Sequence, residues 1–170
     1  MMKHIYAIIQ KWALYWKAVA QKNNNHQMAL ANAGTLLYEI GRNKEAKKML
    51  QRVQKLNPKH SYADAYFNYA MIEIYEKRYS KARKFLARYT KLKKNSYRGW
   101  LWRGKVVKYD AKNAKDLEAS LRFFERAIKV NPKRHDAYVE AITMLREHGN
   151  QVDSSMPITN DGSGVSRQDK

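Results

Sequence analysis

The chain has 170 residues, 44% of them hydrophobic, which suffices for one domain with a substantial core and excludes wholesale disorder. It has no cysteine, which excludes disulfides, thiolate metal sites and a cysteine nucleophile, and its 7 glycines and 3 prolines speak against a turn-rich β fold. The net charge of +19 divides into +9 over residues 1–60, +6 over 61–94, +5 over 95–150 and −1 over 151–170, so the excess sits in the folded part and draws polyanions or acidic protein surfaces.

Residues 1–26 read as one amphipathic helix. Ile5, Ile8, Ile9, Trp12, Trp16 and Val19 recur at intervals of three and four, with Lys3, Lys11, Lys17 and Lys22 mostly elsewhere. The apolar run Ile5 to Ile9 is too short and too soon interrupted by Gln10 and Lys11 to span a bilayer, and no cleavage site follows it. The segment is expected to be a cap that packs its tryptophan face on the next element; a membrane surface is the other use that Trp and Lys together suit. Without a signal peptide or a spanning segment, the expected location is cytoplasmic. Asn23-Asn24-Asn25 ends the helix.

From Gln27 to Pro58 the sequence forms a helix hairpin. Leu30, Ala33, Gly34 and Leu37 share one helical face, Ala46, Leu50 and Val53 another, and Gly41-Arg42-Asn43 lies between. The pattern returns from Ala63, with Tyr66, Tyr69, Ala70, Ala82, Leu86 and Tyr89, and from Tyr97, with Trp100, Gly104, Val107, Ser120, Phe124, Ala127 and Pro132. A half unit follows, with Tyr138, Ala141, Ile142 and Leu145 on one face and Gly149 as a helix stop. Gly34, Ala70 and Gly104 are small so that the partner helix can approach at Ala46, Ala82 and Ser120. Neighbouring hairpins must stack to bury their remaining faces. Three departures stand out. Glu73 replaces an apolar residue, so the helix is expected to shift register after Ala70 and use Ile72, Ile74 and Tyr75. Arg103 also replaces an apolar residue. Four extra residues separate Gly104 from Ser120, lengthening a helix or the turn.

These residues resemble the tetratricopeptide repeat, a 34-residue helix–turn–helix unit. The resemblance runs from Gln27 to Gly149 and implies an all-α fold: a right-handed superhelix of antiparallel helix pairs, about three repeats with capping helices. The expected organisation is a cap at 1–26, repeats at 27–60, 63–96 and 97–134, a half repeat at 135–149, and a disordered tail at 150–170.

The resemblance also implies a function: a non-enzymatic scaffold that binds a partner peptide or helix in a concave groove lined by the first helix of each pair. Carried over by position, the groove takes Tyr38, Phe67, Met71, Tyr75, Arg98, Leu101, Lys105, Lys108, Tyr109 and Val139. Apolar anchors flanked by Arg98, Lys105 and Lys108 suit a partner of acidic character. The two-carboxylate clamp of chaperone-binding members would fall on Ala31, Thr35, Asn68, Arg98 and Trp102, of which only Asn68 and Arg98 fit. The run from Arg78 to Gly99 and the extended third unit also resemble repeats of the outer-membrane pilotins of type IV pili, though the chain has no cysteine for a lipid anchor.

The outward helices concentrate basic residues, above all Lys81, Arg83, Lys84, Arg88, Lys91, Lys93 and Lys94. They are either a solvated face or a nonspecific surface for RNA or anionic lipid. The five histidines form no ligand pair and no phosphate-binding or nucleophile motif occurs, so neither a cofactor, a metal, a small-molecule substrate nor an enzymatic activity is expected.

Overall fold

Small residues at fixed places draw the helices into pairs. The computed structural model describes residues 2–56 and 62–152, with the side chains of 3–56 and 62–148. Among the described residues there are eight helices and no strand: α1 Met2–Lys22, α2 Gln27–Glu39, α3 Asn43–Leu56, α4 Ala63–Tyr75, α5 Tyr79–Leu92, α6 Tyr97–Tyr109, α7 Ala114–Val130 and α8 Asp136–Val152. The pairs α2/α3, α4/α5 and α6/α7 stack in series into a helical solenoid, flanked by α1 and α8. Pro58 and His60, and the tail from residue 153, lie outside the described residues.

Each hairpin closes where the sequence has its small residues. A Cβ on Gly34 would stand 2.7 Å from the Leu50 side chain and 3.4 Å from the Ala46 carbonyl oxygen. Ala70 and Ala82 are fully buried in the second pair. In the third, a Cβ on Gly104 would run into the Phe124 ring, and Ser120 Oγ donates to the Gly104 carbonyl at 2.8 Å. A second small position recurs at the start of each first helix: Ala29, Ala65, Gly99 and Ala137 are all buried. Gly99 lets α6 lie on Tyr89 and Thr90 of α5. This position seats each first helix on the element before it.

The turns share a geometry. Gly41 (φ 76°) and Lys77 (φ 56°) occupy equivalent left-handed positions after α2 and α4. The next amides, of Arg42 and Arg78, return to the Leu37 and Glu73 carbonyls at 2.8 and 2.7 Å. Side chains cap other helix starts: His26 Nδ1 accepts from the Ala29 amide, Ser96 Oγ from Gly99 and Asn113 Oδ1 from Asp116.

The three departures resolve differently. No register shift follows Ala70: α4 has the same 13 residues as α2 and α6, and Glu73 keeps its inward position at 0% exposure. Ile72 is buried, but Tyr75 is 78% exposed and supplies no core contact. Glu73 is tolerated because Lys47 Nζ lies 2.6 Å from one carboxylate oxygen and Arg78 Nε 2.5 Å from the other. Arg103 stays half-buried by donating to Thr90 Oγ1 at 3.1 Å and lying 4.0 Å over the Phe123 ring. The four extra residues divide between turn and helix: residues 110–113 form a turn one residue longer than 40–42 or 76–78, and α7 has 17 residues where α3 and α5 have 14.

Both ends differ from expectation. α1 packs on α2 through Ile9, Ala13, Trp16 and Ala20, not through its whole tryptophan face, and Trp12 stays 51% exposed. Tyr6 OH donates to the Ile40 carbonyl at 3.3 Å and Lys17 pairs with Glu45 of α3 at 2.6 Å, which fixes α1 beside the first hairpin. Gly149 does not end α8. The dihedrals break at His148 (φ −133°, ψ 15°) and the helix resumes to Val152.

Candidate partner-binding groove

The first helices and α1 enclose an open groove of about 1440 Å³. Trp16 and Leu36 form an apolar wall, Asn32, Thr35 and Asn68 a neutral polar floor, and Asp64, Lys91, Lys94 and Arg98 the far rim. The helical period puts Ala31, Asn32, Thr35 and Glu39 of α2 toward this space, and Asn68 lies one hairpin further on. Asn68 is buried and donates from Nδ2 to Thr35 Oγ1 at 2.9 Å, tying α4 to α2 across the groove floor.

The cations expected to face a partner are engaged within the chain. Arg98 bridges to Asp64, which Lys93 Nζ also approaches at 2.9 Å. Arg98 Nε donates to Tyr89 OH at 3.0 Å, and its guanidinium lies 4.2 Å over the Phe67 ring. Burial alone would lower the Arg98 pKa, but Tyr89 and Asp64 outweigh it and hold the group further above its ordinary value. Further along, Lys105 and Lys108 grip the two oxygens of Glu140 at 2.9 and 2.5 Å. Burial pushes the Glu140 carboxyl up, and the two lysines overcome that and leave it below the ordinary range.

The ten expected groove residues therefore do not form one site. Tyr38, Met71 and Tyr75 meet in a smaller cleft of about 420 Å³ with Gly41, Asn43 and Ile74. Burial, with Glu39 beside it, raises the Tyr38 phenol and keeps it protonated. Arg98 alone of the ten lines the large groove. Phe67 and Leu101, at 7% and 8% exposure, belong to the core: Phe67 lies beneath Arg98 and against Tyr89, and Leu101 joins the cluster around Phe124. Tyr109 stands against Tyr79 at 5.8 Å between ring centres, and Val139 lies exposed on α8 outside both spaces. Ala31, Thr35, Asn68 and Arg98 do converge in the large groove, but the first two carry no charge and Arg98 is already paired; Trp102 instead packs under Lys105 Nζ at 4.9 Å.

Among the basic candidates, Lys81, Lys84, Arg88 and Lys91 form one exposed stripe along α5, with Arg88 lying 5.4 Å over Tyr66. Arg83 turns to Asp110 and Asp116, at 3.5 and 3.3 Å. Lys91, Lys93 and Lys94 line the groove itself. Sequence reasoning missed Trp16 and Asn32 as groove residues, and Glu140 as the partner of Lys105 and Lys108. Trp16 reads in sequence as a packing residue, and Asn32 lies one residue from a position carried over. Glu140 lies one residue after Val139 on a helix that otherwise reads as an apolar cap. Among the described residues no group of three His, Asp or Glu side chains could hold a metal, and no helix is long and apolar enough to cross a membrane.

The family profile described as Tetratricopeptide repeat matches residues 29–60 and 63–96. These two segments are tetratricopeptide repeats, and the helix pairs of the chain stack as such repeats do. Its fold is similar to that of MamA 41-end from Desulfovibrio magneticus RS-1, with a TM-score of 0.73 at 18% identity over 86% of this chain and 78% of that one. It is similar to YrrB, described as a TPR protein with an unusual peptide-binding site, with a TM-score of 0.73 at 16% identity over 85% and 72% of the two chains. A third likeness is to the first TPR of Spaghetti (RPAP3) bound to the HSP90 peptide SRMEEVD, with a TM-score of 0.62 at 16% identity over 71% and 91%. No curated protein matches the chain in sequence.

Proposed function

We propose that this chain is a non-enzymatic protein-interaction scaffold that holds an extended segment of a partner protein in the groove between α1, α2, α4 and the α5–α6 turn. The observation that carries this reading is the groove itself: about 1440 Å³, open along its length, with an apolar wall facing neutral amide and hydroxyl groups. Such a surface offers hydrogen bonds to a peptide backbone and a seat for apolar side chains. The peptide-binding described for YrrB and for the first TPR of Spaghetti supports the same use of the fold. The partner's acidic character narrows to the rim. A carboxylate would have to displace Asp64 from Arg98, or Glu140 from Lys105 and Lys108, whereas Lys91 and Lys94 stand exposed at the groove edge.

The test is a displayed library of random peptides selected on the intact chain. Binding of the selected peptides is then measured for Asn32→Arg and Glu39→Arg, which change exposed or half-buried groove positions and spare the core. Loss of at least about tenfold in affinity, roughly 1.4 kcal/mol, with helicity unchanged supports the groove. Unchanged affinity in both variants would falsify the assignment. Phe67→Ala is unsuited to this test because Phe67 is core.

A second reading rests on the stripe Lys81, Lys84, Arg88 and Lys91 on α5. Four cations at one-turn intervals suit a nonspecific polyanion such as RNA or an anionic lipid surface. Heparin retention lost well below physiological salt would contradict it.

A further inference from the structure

The two ends of the solenoid expose apolar faces of complementary kind. On α1, Ile5, Ile8, Trp12 and Tyr15 form a stripe in which each side chain exposes about half its surface, beside the stripe that packs on α2. On α8, Tyr138, Val139, Ile142 and Leu145 are exposed opposite the buried Ala137 and Met144. Among the described residues no element covers either face.

The repeat geometry identifies what each face is. The turns 23–26 and 93–96 have equal length, so α1 aligns with α5, and Trp12 and Trp16 take the places of Ala82 and Leu86. Those are the residues with which α5 meets its own hairpin partner α4. At the other end Ala137 aligns with Gly99, which puts Tyr138, Ile142 and Leu145 in the places of Trp100, Gly104 and Val107. Gly104 is where α6 meets its hairpin partner α7. Thus, among the described residues, α1 takes the place of a second helix whose pairing face meets no first helix, and α8 that of a first helix whose pairing face meets no second helix. At both ends the small close-approach residue has become large, Trp12 and Ile142. Two such faces meet at the wide end of helix spacing, about 10 Å, and fill it with side chains. The balance of charge is also opposite, four lysines and no acid on α1 against three acids and one arginine on α8, with Lys17 held by Glu45, Asp136 by Arg134 and Glu140 by Lys105 and Lys108. Residues 153–170 carry only Met156, Ile158 and Val165 as large apolar groups, without helical spacing, so they make a poor second helix for α8.

We propose that α1 of one copy docks on α8 of the next, completing a hairpin between molecules and joining copies head to tail. Such a contact uses two different patches, so it propagates into a chain or closes into a ring.

The test is sedimentation velocity on the full chain, on Trp12→Lys, on Ile142→Lys and on their equimolar mixture, with circular dichroism to check the fold. Both substituted positions are exposed. The wild type is expected to form a concentration-dependent series of oligomers, and each variant alone to be a monomer. The mixture should stop at a dimer, because the first variant keeps a working α8 and the second a working α1. A monomeric wild type, or a mixture that stays monomeric, overturns the proposal. So does an assembly lost in Trp12→Lys but kept in Ile142→Lys, which would mean pairing of α1 with α1. A wild type that is monomeric yet floats with anionic vesicles, and loses this in Trp12→Lys, would assign the α1 face to lipid and overturn the proposal.

Discussion

Glu73 Oε1 lies 2.6 Å from Lys47 Nζ, joining the second helix of one hairpin to the first helix of the next. Glu73 is fully buried, and its other oxygen is held by Arg78. Lys47→Met keeps the stem and removes the charge. It should destabilise the chain by about 2 kcal/mol, less than the ~3–5 kcal/mol of a fully orphaned buried charge, because Arg78 remains. Urea unfolding checks this; a midpoint equal to the wild type's would mean that the pair contributes nothing.

The same carboxylate sets a pH dependence. Burial raises the Glu73 pKa, but Lys47 and Arg78 overcome that and hold it below its ordinary 4.5. Glu140 is lowered in the same way by Lys105 and Lys108. A folded-state pKa below the unfolded value gives stability that is fully present above about pH 4.5 and is lost as pH falls through the lowered value. Glu73→Gln should be less stable than wild type at pH 7 and lose less on acidification. An identical acid dependence in the two proteins would show that Glu73 is not the titrating group.

Gly104→Ala should cost about 2 kcal/mol, since its Cβ would run into the fully buried Phe124 ring and neither helix can withdraw without breaking the Ser120 hydrogen bond. Thermal unfolding reads the loss. Pairing it with Phe124→Leu should restore part of the stability if the clash is the cause.

Lys77→Gly should stabilise by about 1 kcal/mol, because Lys77 holds a left-handed backbone (φ 56°) that glycine adopts freely. Gly41→Ala, at the equivalent turn with nothing within 4 Å of the added Cβ, should lose a similar amount from backbone strain alone. If both changes were neutral, the turn conformation would not be under strain.

The hairpins are legible in the sequence because their code is local. Gly34 with Ala46 and Gly104 with Ser120 lie within one repeat, and small residues recurring at that interval mark where two helices approach closely. The groove is less legible because its electrostatics depend on how repeats stack. Arg98 reads as a free cation until stacking brings Asp64 under it, and Lys105 and Lys108 read so until α8 brings Glu140. Glu73 reads as a break in the pattern because Lys47 sits on another hairpin. On α1 two apolar stripes run side by side, and the tryptophans dominate the periodicity although Ala13 and Ala20 mark the buried stripe.

The groove assignment is tested most directly by hydrogen exchange on the intact chain with and without a selected peptide. Slowed exchange should centre on the amides around Ala31–Thr35, Asp64–Asn68 and the 93–96 turn, where α2, α4 and the start of α6 surround the groove. Protection confined to the outer helices α3, α5 and α7, with those amides unchanged, would contradict it.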